Sequence, residues 1–162
     1  MTDDAVDLGK LSARELLYRG HALLNANRVE LATAAIFAVC ERYSAADEPV
    51  PSTVLSLYAL CLARQGKRKE AVDTCRLALK REPKNPACRV HMARIYLLAN
   101  ARRKAFEELE RGLAFAPDNQ DLRRLEVEMG KRRSPVIGFL SRDNPLNVKL
   151  GKARAKGTKP SR

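Results

Sequence analysis

The sequence predicts an all-α fold in which antiparallel helix pairs stack into a solenoid. Residues 52–119 repeat themselves every 34 positions, so that Ala71 aligns with Ala105 and Pro83 with Pro117. Aromatic residues make up only 5% of the chain and Trp is absent, a composition that favours stacked helices over a β-sandwich. A helix pair of this length cannot bury its apolar face alone, so successive pairs are expected to stack.

The two aligned copies keep one order of small, bulky and helix-ending residues. Small side chains are expected where the two helices of a pair approach closely, and bulkier ones fill the space between them. Proline then ends each second helix because it lacks an amide donor and clashes with the preceding turn. Further aligned pairs are Ala59 with Ala93, Leu62 with Tyr96, Cys75 with Leu109, and Ala78 with Gly112.

A degraded first repeat is predicted at 13–46. Gly20 lies at the small-residue position of its first helix, and Ala32 lies at that of its second. No proline ends the second helix of this repeat. Ala32 lies 39 rather than 34 positions before Ala71, which places five inserted residues in a longer linker around Ala45–Ser52. A terminal repeat has only one neighbour, so departures from the pattern are expected there.

The acidic residues 1–12 are expected to be a disordered leader. Ser12, with Glu15 three residues later, predicts a capping box at the start of the first helix. The leader lacks the apolar core of a secretory signal, and no apolar run approaches the roughly 20 residues of a membrane helix. The cysteines lie in apolar helical patterns without a C-x-x-C pair, which favours free thiols in a reducing compartment and a cytoplasmic protein. They are Cys40, Cys61, Cys75 and Cys88.

The second repeat (52–85) and the third (86–119) are each expected to form two helices. Gly66 and Asn100 occupy matching turn positions after the first helix of each pair. The predicted helices lie near 52–66, 68–81, 86–99 and 102–115. A further helix begins near Gln120 within the segment 120–133, with Leu122, Leu125 and Met129 on its apolar face, and is expected to cap the last repeat.

The character of the chain changes at 134–162. Residues 131–162 carry ten Lys and Arg against one Asp, which is +9 of the total net charge of +12. The end of this region is expected to be a basic disordered tail. Apolar residues precede it, and the segment is expected either to pack on its own solenoid or to dock on a partner. They are Val136, Ile137, Phe139, Leu140, Leu146 and Leu150.

The repeat register resembles the tetratricopeptide repeat over about residues 13–118. The resemblance implies a right-handed solenoid that acts as a protein-binding module, in which the first helices line a concave groove holding a partner peptide. Placed on this sequence, that groove is a mixed apolar and basic surface, suited to a peptide with hydrophobic anchors and an acidic flank. Its residues would be Leu17, His21, Leu24, Asn25, Ser56, Leu60, Arg64, Val90, Arg94, Leu97 and Leu98.

Two subfamilies can be compared with this chain. Repeats that clamp a C-terminal Glu-Glu-Val-Asp peptide use Lys, Asn and Arg, whereas the corresponding slots here hold Leu17, His21, Leu57, Ala87 and His91, so that clamp is not expected. The class II chaperones of type III secretion are similar in length and repeat number. The basic tail and the apolar segment 134–150 depart from their pattern.

Basic residues recur in the turns between paired helices. Such turns lie along one edge of a stacked solenoid, so these residues would form a basic ridge. One interpretation is that these are ordinary solvent-exposed turn residues. The other is that the ridge is a binding surface for nucleic acid, acidic protein or anionic membrane. It comprises Lys67, Arg68, Lys69, Arg102, Arg103 and Lys104.

No constellation of catalytic residues is apparent. Cys88 and His91 form an i, i+3 helical pair, but two further metal ligands are missing. Glu107, Glu108 and Glu110 are expected to face solvent, and no phosphate-binding loop or nucleophile elbow is present. The sequence predicts neither an enzyme, a cofactor, a metal site nor a small-molecule substrate.

The leading hypothesis is therefore a non-catalytic adaptor, scaffold or chaperone that binds a partner peptide in the groove. The alternative is an electrostatic binder of nucleic acid or anionic membrane through the basic ridge and the tail. It lacks the aromatic stacking residues that nucleic-acid recognition commonly uses. The identity of the partner and the oligomeric state stay open.

Overall fold

The computed structural model describes residues 8–130, 144–146 and 148–150, and these residues form helices and connecting turns without a β-strand. The chain divides into two compact units, Met1–Glu128 and Met129–Arg162. In the first unit each odd-numbered helix packs against the next, and α3 also packs against α5, so the predicted all-α solenoid is confirmed. The helices are α1 (Ala13–Asn25), α2 (Val29–Ala45), α3 (Ser52–Arg64), α4 (Arg68–Arg81), α5 (Pro86–Leu98), α6 (Arg102–Phe115) and α7 (Gln120–Met129).

The turn within each repeat has one backbone geometry. Its central residue is left-handed, with φ of 59° at Asn27, 85° at Gly66 and 56° at Asn100. Two hydrogen bonds close each turn in the Schellman pattern; in the second repeat the Gly66 and Lys67 amides donate to the Ala63 and Leu62 carbonyls. Glycine and asparagine tolerate this conformation, which explains why the sequence places them there.

The capping box predicted at the start of α1 is present. The Glu15 amide donates to Ser12 Oγ at 3.2 Å, and the Ser12 amide donates to the Glu15 carboxylate at 2.7 Å, which completes the capping box. Asn85 Oδ1 accepts from the Ala87 and Cys88 amides just before α5.

The five inserted residues are divided between a helix and a loop. Helix α2 has 17 residues, whereas α4 and α6 have 14 each. The connection 46–51 is two residues longer than 82–85, and Asp47 within it is left-handed with φ of 56°. The insertion therefore extends α2 by three residues as well as lengthening the linker.

Small residues lie at the close approaches between paired helices, as predicted. Ala59, Ala71, Ala93 and Ala105 are fully buried. In the first repeat a Cβ on Gly20 would clash with the Ile36 side chain, so the close approach of α1 to α2 favours glycine here.

The prediction for Glu108 is wrong, because this residue is buried rather than facing solvent. Its exposed fraction is 7%, and its carboxylate forms ion pairs with Arg89 of α5 and with Arg111. Arg89 also donates from Nη2 to the Pro83 carbonyl at 2.8 Å. The pair therefore links α5, α6 and the connection before α5.

Residues 8–11 form a turn against the first repeat, although the leader was expected to be disordered through residue 12. Leu8 and Leu11 pack on the core, and the Arg42 guanidinium donates to the Leu8 and Gly9 carbonyls at 3.3 and 2.9 Å.

In the second unit, Asn144 Oδ1 accepts from the Leu146 amide, and both Leu146 and Leu150 are exposed. The rest of the predicted docking segment, Val136, Ile137, Phe139 and Leu140, lies outside the described residues, as does most of the basic tail.

Candidate functional site

A hollow of about 350 Å³ lies along the first helices of the second and third repeats. Leu60 and Arg64 of α3 face Arg94, Leu97 and Leu98 of α5, and Glu128 of α7 completes the lining. Five of the residues that the family resemblance assigned to the groove are thus brought together.

The hollow combines apolar surface with two guanidinium groups and the carboxylate of Glu128. Arg64 Nη1 donates to the Leu24 carbonyl at 2.8 Å, which anchors its side chain to the end of α1. Arg94, in contrast, has no hydrogen bond or ion pair with any described residue. Leu98 is 41% exposed beside it. The arrangement can accept a carboxylate at Arg94 and an apolar side chain against the leucines.

His91 lies at the repeat junction close to this hollow. Its Nδ1 is 2.8 Å from Ser56 Oγ, and the Ser56 hydroxyl donates its proton to the Thr53 carbonyl at 3.0 Å. Burial lowers the pKa of His91 to about 4, with smaller contributions from His21 and Arg94. His91 is therefore neutral at pH 7, and the positive charge of the hollow comes from arginine.

The other groove residues are distributed differently. Leu24, Ser56, Val90 and Leu60 are buried, so they offer little surface to a partner. Leu17 is half-buried against the first-repeat core, whereas His21 and Asn25 are exposed on α1. Partial desolvation lowers the pKa of His21. The first-repeat residues do not line the hollow between α3 and α5.

The basic-ridge residues are all exposed and lie at the starts of α4 and α6. Neither start has a side-chain cap. Arg103 Nε pairs with Glu107 at 3.1 Å, and the Lys104 ammonium lies 5.7 Å from the Tyr96 ring centroid. Cations near a helix N-terminus oppose the helix dipole, so this placement is not explained by helix stability.

The cysteines have a structural role here. All four thiols are free, and burial raises the pKa of Cys75 to about 12. Cys88 Sγ donates to the Ser52 carbonyl at 3.3 Å rather than joining His91 at a metal. In the part of the chain that the structure describes, no group of three His, Cys, Asp or Glu side chains could hold a metal ion, and no helix is long and apolar enough to cross a membrane.

Residues 54–127 match the sequence profile of the tetratricopeptide repeat. Among solved structures, the chain is similar to the TPR domain of P58(IPK), at 20% identity and a TM-score of 0.51, covering 74% of this chain and 35% of that one. It is also similar to the second TPR domain of human RPAP3 in complex with the HSP70 peptide SGPTIEEVD, at 14% identity and a TM-score of 0.51, covering 75% of this chain and 100% of that one. No curated protein sequence matches this chain.

The fold and the hollow define an all-helical repeat protein of the protein-interaction class. Residues 54–127 carry the tetratricopeptide-repeat sequence pattern, and the chain has the fold of TPR domains. It spans about a third of the length of the P58(IPK) structure.

Proposed function

We propose that this protein is a non-catalytic adaptor, scaffold or chaperone that binds a peptide segment of a partner in its concave groove. The observation that carries the proposal is the hollow between α3 and α5, where Arg94 has no hydrogen-bond or ion-pair partner among the described residues and lies beside the exposed Leu98. An acidic residue next to an apolar one would satisfy both groups. The RPAP3 domain with its bound HSP70 peptide supports peptide binding by this fold.

The test is affinity capture from the native organism with the full chain as bait. The variant Arg94→Glu with Leu98→Asp reverses the charge of the hollow and makes its apolar wall polar. It should lose a protein that the wild-type chain retains at moderate salt. Leu98 is used rather than the buried Leu60 because a charge at position 60 would unfold the repeat.

The matched control is Arg76→Glu with Leu77→Asp on α4. Leu77 is 45% exposed, close to the 41% of Leu98, and both control residues lie outside the hollow. The control should retain the partner. Equal capture by both double variants would contradict groove binding.

A second candidate function is electrostatic binding of nucleic acid or anionic membrane through the basic ridge and tail. It is favoured by the exposed basic residues at the uncapped starts of α4 and α6, where they oppose the helix dipole. This function predicts a steep loss of binding between about 50 and 200 mM salt. A flat salt response would exclude it.

A cytoplasmic location is part of the proposal. Four free thiols, three of them buried in the repeat core, fit a reducing compartment. Fractionation of the native cells, with a cytosolic marker as control, tests it.

A further inference from the structure

Three slots of each first helix form the surface through which consecutive repeats stack. In α3 they are occupied by Val54, Leu57 and Cys61, which belong to one buried cluster with residues of α1 and α2. The same slots recur 34 residues later in α5, and the first two of them recur again in α7. Buried examples are Cys88 and Ile95 of α5, and Leu122 and Leu125 of α7.

Helix α1 leaves the same slots exposed. They hold Glu15, Tyr18 and Ala22, each 39 positions before its α3 counterpart. Tyr18 is 80% exposed, whereas Leu57 at the equivalent position is 3% exposed. A large aromatic side chain therefore stands at a slot that buries a leucine elsewhere in the fold. Around it lies a hollow lined by Leu11, Arg14, Glu15, Tyr18, Arg19 and Ala22.

The charge that this hollow presents is positive. The Glu15 carboxylate accepts from the Ser12 amide at 2.7 Å and from Ser12 Oγ at 2.6 Å, so it is engaged at the start of its own helix. Arg14 is exposed and has no hydrogen bond or ion pair with a described residue. Arg19 extends the basic margin on the other side of Tyr18.

We propose that this face of α1 binds an amphipathic helix of a partner protein, with acidic residues beside the apolar stripe of that helix. The slots are spaced by three and four residues, which matches the ridges of a packed helix. Their counterparts in α3 are already covered by helices of the same chain. Charge complementarity with Arg14 and Arg19 favours the acidic flank. This surface is separate from the groove and does not depend on it.

Two labelled synthetic peptides of about 20 residues test the proposal, a length at which helices begin to form in water. Both carry leucines at i, i+3, i+4 and i+7; one has glutamates beside this stripe and the other lysines. Fluorescence anisotropy with the full chain should detect binding of the acidic peptide alone. Tyr18→Ser should weaken it at least about tenfold, as expected for loss of an aromatic anchor.

The matched control is Val127→Ser, because Val127 is another apolar residue that is 80% exposed on a first helix. It should leave the affinity unchanged. The comparison is made in chains that all carry Arg94→Glu, so that binding of the acidic peptide in the groove does not contribute. Equal binding of the two peptides, no binding of either, or no effect of Tyr18→Ser would overturn the proposal. Sedimentation equilibrium showing a wild-type dimer that Tyr18→Ser dissociates would also overturn it, by assigning the face to a second copy of the chain.

Discussion

The first and third repeats share a backbone but hold their paired helices together with different chemistry. Both have a first helix of 13 residues followed by a turn with a left-handed asparagine. Where α1 faces α2, Leu16 and Ala35 are fully buried. The equivalent positions in the third repeat, 39 and then 34 residues further along, are Arg89 and Glu108, which form a buried ion pair.

The turn and the small residues therefore fix the approach of the helices, while the remaining contact tolerates either apolar or ionic pairs. A buried ion pair is stable only if both partners are present and their remaining hydrogen-bonding groups are satisfied. Arg89 meets this condition through the Pro83 carbonyl, and Glu108 meets it through Arg111. The third repeat is therefore expected to be the more sensitive to single substitutions.

The largest expected effect comes from breaking that pair. Glu108→Ala leaves the mostly buried Arg89 without its counter-charge and should lower the free energy of unfolding by about 3 kcal/mol. Arg89→Leu with Glu108→Ala installs the residues of the first repeat and should cost about 1 kcal/mol or less. Urea unfolding of the two variants measures both values. A double variant as unstable as the single one would show that the two repeats are not interchangeable at this contact.

The next effect concerns pH, because His91 occupies a slot that holds Leu57 and Leu125 in neighbouring first helices. Its pKa is lowered from 6.5 to about 4 in the folded state. Between those values the unfolded chain binds more protons, so stability should fall as the pH decreases from 6.5 to 4, by roughly 2–3 kcal/mol.

His91→Leu should remove most of this pH dependence while leaving the fold intact. Thermal unfolding at pH 7 and pH 4.5 measures the difference. The exposed His21 provides the control, since His21→Leu should change the pH dependence less. If the pH dependence of stability is the same in His91→Leu as in the wild type, other titrating groups cause it.

A smaller effect is expected at the close approach of the first repeat. Gly20→Ala places a Cβ against Ile36 Cδ1, so Ile36 must shift within a fully buried site. The substitution should cost about 1–2 kcal/mol despite the better helix propensity of alanine. Ile36→Val removes the clashing methyl and should reduce the cost of Gly20→Ala in a double-mutant cycle. If the stability costs of Gly20→Ala and Ile36→Val simply add in the double variant, the steric explanation is contradicted.

The smallest effect concerns the starts of the second helices. Helix α2 begins with Val29 and Glu30, whereas α4 begins with Arg68 and Lys69. Arg68→Glu replaces a cation at a helix N-terminus and should stabilise the protein by about 0.5 kcal/mol. The same variant should weaken any binding of nucleic acid or anionic vesicles to the basic ridge. If Arg68→Glu stabilises the protein but does not change this binding, the basic ridge does not have the electrostatic function.

The sequence was sufficient to predict the fold because the signals that determine it are local and repeated. Gly66 and Asn100 marked the turns, Ser12 and Glu15 a helix start, and the alanines at a period of 34 marked the close approaches. The length of α2 was less accessible, since Ser44 and Ala45 continue a helix as readily as they begin a linker.

Tertiary pairing was harder to predict. Glu108 lies among three glutamates on one helix, and only the alignment of its slot with Ala35 indicates that it points inward. The groove residues were predicted as a set, but burial separates Ser56 and Val90 from the exposed Leu98. The exposure of Tyr18 likewise depends on what packs against α1, which a pattern within one helix does not contain.

Site-specific photocrosslinking from positions 98 and 77 tests the central claim, partner binding in the groove, most directly. A photoreactive amino acid would replace Leu98 in one full-length variant and Leu77, which is similarly exposed, in the other. Groove binding predicts one dominant protein adduct from position 98, abolished by Arg94→Glu, and none from position 77. The same adduct from position 77, or an adduct at position 98 that Arg94→Glu leaves unchanged, would contradict it.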